Sequence, residues 1–353
     1  MKNFFKLAAL ASALVLAHGA QANGLELSRD GQFATSGNQS APANWRVTDG
    51  MAFNGTTFDG VARLNFATAA GNYVCSGTLL AGGYHVVTAA HCADDFTAMT
   101  IRFGVHGNVA KETRGVAKVD IHSGWTGALG TGSDIAVIRL DRRVESIQGF
   151  NISTTNDLGK NFLIMGHGTT TTGGSSTATN WGDYGWAHYG WNTAEVSGKN
   201  FNTTVFGADP NDDKYGMEYI ADYDSLTNKA NHNTLQRIAD AYGTTNWSSS
   251  QGLDMDEALI AGGDSGGGDF VWNGSEWLLS GVHSWGWQIC PTSWGCDISK
   301  ANSSSWGDLS GSTAVFSHAG FIAANAVPEP TTLALVPMAL FAIGAVRRRR
   351  QQA

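Results

Sequence analysis

Three short segments hold residue types that together can cleave an acyl bond. Val86-Val87-Thr88-Ala89-Ala90-His91-Cys92 is an apolar run, strand-like at its start, that delivers a histidine. Ser133-Asp134-Ile135-Ala136-Val137-Ile138-Arg139-Leu140 places an acid at the head of a β-branched strand. Gly262-Gly263-Asp264-Ser265-Gly266-Gly267-Gly268 sets a serine among glycines. A serine hydroxyl is a poor nucleophile at its own pKa and needs a base beside it. Histidine titrates near neutrality, so it can take that proton and return it to a leaving group. A buried carboxylate fixes the imidazole tautomer and stabilises the imidazolium. Glycines let backbone N–H groups come close to an anionic intermediate. Each segment alone is ordinary: a glycine-rich loop is usually a turn, and a histidine after a strand is usually structural.

Together, and in the order His, Asp, Ser, the segments T-A-A-H-C, D-I-A-V-I-R-L and G-D-S-G-G resemble the three hallmarks of the chymotrypsin-like serine protease family. The resemblance implies an all-β chain of two packed six-stranded antiparallel β-barrels with a short C-terminal helix. It implies a secreted endopeptidase that hydrolyses peptide bonds through an acyl-enzyme, without a cofactor. His91 becomes the general base, Asp134 its orienter and Ser265 the nucleophile, with the N–H groups of Gly263 and Ser265 as oxyanion donors. Ser284-Trp285-Gly286 matches the family's S-W-G segment, which lines the substrate cleft and pairs with substrate as an added strand. Ser284 would also contact Asp134.

The likeness extends over about residues 47–326, apart from an atypical middle. Val47-Thr48-Asp49-Gly50 follows Arg46 as I-V-G-G follows a basic residue in family zymogens. Val61-Ala62-Arg63-Leu64-Asn65 stands where the family has its first strand, Gly166-His167-Gly168-Thr169 where it has a G-W-G-x turn, and 315–326 where it has its last helix. Ile121-His122-Ser123-Gly124-Trp125 matches the segment before the Asp strand, which makes His122 structural. Cleavage after Arg46 would free the α-amino group of Val47 to pair with buried Asp264 and order the oxyanion loop. Residues 23–46 would then be a propeptide. Thr48 replaces the usual aliphatic second residue.

Four cysteines in an exported chain permit three pairings. The resemblance implies a Cys75–Cys92 bridge beside the histidine. Cys290 and Cys296, close in sequence, are read as a second pair, since the family's cysteine four residues before the serine is Ala261 here. The residue six before the serine is Leu259, where trypsin-like members carry an aspartate. An apolar or small side chain is therefore the expected preference, unless register slips and brings Asp256 or Glu257 to the pocket.

These residues need a scaffold, and composition describes one. Charged residues are 15% of 353, apolar residues 42%, and there are 45 glycines, 12 tryptophans and 6 prolines. Such a chain can bury a core and reads as turn-rich β structure, not as disorder or collagen. A net charge of −8 excludes a general nucleic-acid binder. Thr169 to Asn246 is rich in Thr, Gly, Asn and aromatics, including Trp181, Trp186 and Trp191, and is read as loop insertions on the second barrel. A sharper reading is a platform for polymer substrates. Asp209, Asn211, Asp212 and Asp213 offer oxygen ligands for calcium, but Lys214 stands where an EF-hand needs glycine, and no metal is expected.

The two ends read as delivery segments. Lys2 and Lys6, an apolar run from Leu7 to Leu16 and Ala20-Gln21-Ala22 form a secretory signal over residues 1–22. Val327-Pro328-Glu329-Pro330, an apolar stretch to Val346 and Arg347 to Arg350 resemble the PEP-CTERM sorting signal of Gram-negative bacteria. The stretch would span about 24 Å as a helix, short of the ~30 Å hydrocarbon core, which suits transient membrane anchoring. The resemblance implies export across the inner membrane, processing by signal peptidase and an exosortase-type enzyme, and delivery to the cell surface or extracellular matrix. A plain tail anchor is the alternative. Most basic residues outside 47–326 sit in these ends, so the central region is more acidic than the whole chain. Two other readings stay open: an inactive protease-fold protein that binds at the surface or matrix, and an esterase built on the same triad.

Overall fold

The computed structural model describes residues 34–37, 41–207, 216–288 and 304–326. The signal segment, most of the propeptide, Asp209 to Asp213, Cys290, Cys296 and the sorting tail lie outside the described residues. Among the described residues no helix is long and apolar enough to cross a membrane.

Strand alternation builds the first barrel. In Ala98–His106, Met99, Ile101, Phe103 and Val105 are buried at period two, as a pleated strand with one face on a core requires. Its sheet runs, in spatial order, Val116–Ile121, Ala136–Leu140, His85–Thr88, Gly71–Leu79, Val61–Thr68, Ala98–His106 and Val109–Arg114, every pair antiparallel. The second sheet runs Val196–Ser197, Glu218–Asp222, Leu309–Ala314, Trp277–Trp287, Gly268–Trp272, Asn161–Gly166, Ala187–Thr193 and Arg46–Val47, with Asn151–Ile152 pairing alongside Trp277–Trp287. The all-β, two-barrel expectation holds. The sheets carry seven and nine strands; the two-residue segments Val196–Ser197, Arg46–Val47 and Asn151–Ile152 extend the second. The last described elements are a 3₁₀ turn, Val315–His318, and a short α-helix, Ala319–Asn325.

One apolar cluster runs through both barrels. Leu64 and Ile101 of the first and Phe270 and Leu279 of the second belong to it. Phe58 joins the halves: its ring meets Phe270 and Phe150, each at 5.0 Å between centroids.

The middle region is more ordered than a set of loops. Ala187–Thr193 and Glu218–Asp222 are barrel strands, and Gly198–Phe206 and Thr234–Tyr242 are α-helices. Ser197 caps the first helix through Asn200 N–H, and Asn233 caps the second through Gln236 N–H. Gly243 closes the second in the left-handed region, at φ 62°.

This region also gathers the carboxyl groups of Glu195, Asp222, Asp224 and Glu257, all buried. Burial, with Glu257 and Glu195 nearby, pushes Asp224 up to about 9; burial pushes Glu257 up to about 8, with Glu195 adding to it. Unfolded carboxyls titrate near ~4. A raised folded pKa means stability present in full below the unfolded value and lost as pH rises through the folded one. Thermal melts between pH 5 and 9 should therefore show Tm falling with pH, and Asp224→Asn with Glu257→Gln should flatten the slope. A Tm that rises over that interval in the parent would contradict this account.

Candidate active site

His91 lies on the 3₁₀ turn Ala90–Cys92 that ends the strand His85–Thr88. Cys92 is bonded to Cys75, 17 residues back in the neighbouring strand, so the turn is fastened on both sides. Closing a loop of that size contributes about 3 kcal/mol through the unfolded chain. Cys75→Ser with Cys92→Ser should lower unfolding free energy by about that amount in a denaturant titration.

Asp134 heads the strand Ala136–Leu140 and is 1% exposed. Three donors face its carboxylate. His91 approaches with Nδ1 at 2.7 Å from Oδ2 and gives its backbone N–H to Oδ1 at 3.0 Å. The Ser284 hydroxyl donates to Oδ2 at 2.6 Å. Burial draws the His91 pKa down, but the charge and hydrogen bond of Asp134 outweigh it, and the net shift is upward. Trp125 flanks the imidazole at 6.5 Å between ring centroids, with its indole N–H on Asp94 at 2.8 Å.

Ser265 sits on a tight loop packed against the histidine segment. A Cβ on Gly266 would lie 2.0 Å from Thr88 Oγ1 and 2.8 Å from Ala89 N, so only glycine permits that approach. The N–H groups of Asp264, Gly266 and Gly267 are taken by Ala261, His283 and Asp264 carbonyls. Among the described residues, the N–H groups of Gly263 and Ser265 donate to no protein acceptor, and neither does the Ser265 hydroxyl. Gly263 holds φ at +100°, in the region that favours glycine. The pattern leaves two donors and a nucleophile on one loop, whose Ser265 carbonyl oxygen lies 3.6 Å from the sulfur of Cys92, next to His91; among the described residues no hydrogen bond joins Ser265 to His91. In a substrate-free site, catalytic hydrogen bonds often tighten only on binding.

Asp264 is fully buried, and its carboxylate accepts the N–H groups of Gly168 at 2.7 Å and Ala261 at 2.9 Å. A Cβ on Gly166 or Gly168 would strike that carboxyl at 2.2 or 2.7 Å, which gives both glycines of the Gly-His-Gly turn their reason.

A model of the Trypsin family matches residues 47–225. The chain belongs to the trypsin family. It is a serine endopeptidase, a hydrolase acting on protein or peptide substrates. The matched region carries His91 and Asp134, and Ser265 lies beyond its end. Among solved structures, one titled HL collagenase is similar over 76% of this chain and 94% of that one, at 17% identity and a TM-score of 0.48.

The remaining sites of this trypsin-family chain divide. Leu259 is buried on the strand Ala258–Leu259. Glu257 is turned away, with its oxygens on the N–H groups of Asp224 and Leu253, and Asp256 is exposed. Val47 is buried, and Arg46 is held by Asp183 and lies 5.0 Å over the Trp186 ring. Ser284 meets Asp134 as the resemblance implies. Trp285 departs from its expected place as a cleft wall. It is 2% exposed, donates to Glu218 at 3.2 Å and packs at a tilt on Trp287, 4.7 Å between ring centroids. The cause is the inserted region: Phe201, Leu235 and Trp247 form an apolar cluster that takes in both tryptophans. Gly286 is buried with them and pairs with Ser310. His122 is structural, accepting from Gly124 N–H and packing on His318 and Phe321.

Ser76 was not singled out by the sequence, yet it ties the site together. Its N–H donates to the Ser265 carbonyl at 2.8 Å and its hydroxyl to the Gly263 carbonyl at 2.8 Å, while that hydroxyl accepts His167 N–H at 2.9 Å. It lies fully buried inside the strand Gly71–Leu79, and nothing in its local sequence marks it. Ser76→Ala leaves the Gly263 carbonyl and His167 N–H short of a partner, and should cost about 1–3 kcal/mol in a urea titration.

Proposed function

We propose that this endopeptidase is exported and works through His91, Asp134 and Ser265 as one unit, with Gly263 and Ser265 as oxyanion donors. The observation that carries the reading is the pair of uncommitted amides of Gly263 and Ser265 on the loop of the nucleophile, while the amides of Asp264, Gly266 and Gly267 are occupied. His91, its Nδ1 proton held by Asp134, takes the Ser265 proton at Nε2 as Oγ attacks the substrate carbonyl. The oxyanion forms against the two amides, where fixed donors act without reorganising. His91 then protonates the leaving amine, and water repeats the sequence on the acyl-enzyme. A fluorophosphonate should label the processed protein at Ser265; a folded, processed chain that takes no label would sink the reading.

The primary pocket favours apolar or small side chains over arginine and lysine. Leu259 offers no charge, and the two acids nearest in sequence are engaged elsewhere or exposed. Digestion of a peptide library should show this preference; dominant cleavage after arginine or lysine would reverse it.

Activation follows cleavage after Arg46, supported by a family match that begins at residue 47. A second reading is favoured by the two backbone donors already on Asp264, and by the strand Ala34–Gly37 lying between Thr169–Thr172 and Ala258–Leu259. In that reading the uncut chain already has an ordered oxyanion loop. N-terminal sequencing of active protein decides: a start at Val47 selects cleavage, a start at Asn23 selects the second. Export and transient anchoring rest on the sequence patterns of residues 1–22 and 327–353, and fractionation of cells carrying the full chain tests them.

A further inference from the structure

Behind the serine loop lies a second histidine–carboxylate pair. His283 stands in the strand Trp277–Trp287, fully buried, and Asp269 in the adjacent strand Gly268–Trp272 is 1% exposed. His283 Nε2 lies 2.9 Å from Asp269 Oδ1, and its Nδ1 lies 3.1 Å from the carbonyl oxygen of Asp264. A carbonyl only accepts, and an ionised carboxylate only accepts. With the Asp269 carboxylate ionised, both ring nitrogens carry protons, and the ring is an imidazolium with Asp269 as its counter-ion. Burial alone draws the histidine down; Asp269, with the Asp264 carboxylate adding to it, outweighs burial and raises it. A buried charge persists only where it is paired in this way.

The carbonyl that receives Nδ1 belongs to the peptide linking Asp264 to Ser265. The N–H of that same peptide is the Ser265 amide. A cation on the oxygen end of a peptide draws electron density toward it and makes the N–H a stronger donor, because successive hydrogen bonds polarise one another. Gly267 N–H adds to the effect at 2.7 Å on the same carbonyl. Gly267 also leaves the room: a Cβ there would sit 2.8 Å from both His283 Nδ1 and the Asp264 carbonyl oxygen. We infer that the His283 imidazolium, held by Asp269, is a positioning residue that polarises the Asp264–Ser265 peptide and strengthens the Ser265 amide as an oxyanion donor. The inference rests on the proposed role of that amide.

Three readouts on the processed chain test it. Nitrogen-15 NMR of labelled histidine should find both ring nitrogens of His283 protonated at neutral pH. A ring with one unprotonated nitrogen would overturn the inference, since Asp269 would then carry the proton. Asp269→Asn can keep the hydrogen-bond geometry through its amide while discharging the ring. It should lower kcat by about 3–30-fold with KM little changed, a fraction of the loss seen when a whole oxyanion donor is removed. A peptide boronate, which places an anionic oxygen in the same position, should lose affinity in parallel with kcat. Unchanged kcat and boronate affinity in Asp269→Asn, with the parent still labelled at Ser265 by a phosphonate, would overturn the inference and leave the triad standing. Absence of labelling in the parent would remove both. A loss confined to KM or to Tm would mark the pair as a packing element and also overturn it.

Discussion

Ser265→Ala should lower kcat by about 10⁴–10⁶-fold while shifting stability by less than about 0.5 kcal/mol. The loop does not depend on the hydroxyl. Ser265 is held through its carbonyl on Ser76 N–H, Gly266 through its N–H on the His283 carbonyl, and Gly267 through its N–H on the Asp264 carbonyl. Alanine preserves all three bonds. Because the hydroxyl donates to no acceptor, its removal leaves no buried partner unsatisfied. What disappears is the covalent path. The amides of Gly263 and Ser265 survive in the variant, so a residual acceleration over water should persist. Peptide turnover and thermal melts measure the two effects separately. An alanine variant as active as the parent would remove Ser265 from the chemistry. A parent that neither turns over peptide nor takes a phosphonate would instead favour a binding protein on this fold. Comparing ester with peptide turnover in the parent tests the esterase alternative on the same residue.

The catalytic segments were legible because their chemistry requires particular residue types close together in sequence. A histidine after an apolar strand, an acid before one and a serine between glycines each declare a role. The Cys75–Cys92 bridge and the strand beginning at Val61 followed from the same resemblance. What escaped notice depends on contacts between distant segments. Ser76 acts on residues nearly two hundred positions away, and its neighbours in sequence say nothing of the partner. His283 pairs with Asp269 only because the strands Gly268–Trp272 and Trp277–Trp287 lie together in one sheet. Trp285 carried a motif that implied an open cleft, but its environment is set by helices far upstream whose apolar faces are short. Those helices left local marks, Asn233 before and Gly243 after Thr234–Tyr242, which were available and outweighed by the run of polar residues around them. The carboxyl cluster of Glu195, Asp222, Asp224 and Glu257 was equally hidden, since acidic residues are ordinarily solvated.

Asp134→Asn should cost about 10⁴-fold in kcat, with the change written in the pH profile as well as in the rate. Asparagine offers one oxygen and one NH₂ where aspartate offers two acceptors. His91 N–H requires an acceptor at the position of Oδ1, and the Ser284 hydroxyl and His91 Nδ1 converge on Oδ2. If the amide oxygen keeps the backbone bond, the NH₂ points at Nδ1. The ring then shifts its proton to Nε2, where it can no longer accept from Ser265. In the parent, Asp134 holds the His91 pKa above its ordinary 6.5 against the downward pull of burial. The base is active only when neutral, so the acid limb of kcat/KM should lie above pH 6.5 and activity should fall as pH drops through it. Removing the carboxylate leaves burial as the dominant influence, and the limb should move below 6.5. Asp134→Asn therefore has two signatures with different causes: a lower plateau from the wrong tautomer and an acid-shifted limb from the lost charge. Profiles of both proteins between pH 5 and 9 separate them. A low plateau with an unmoved limb would mean that Asp134 fixes the ring without setting its basicity, and an unmoved plateau would take Asp134 out of the mechanism.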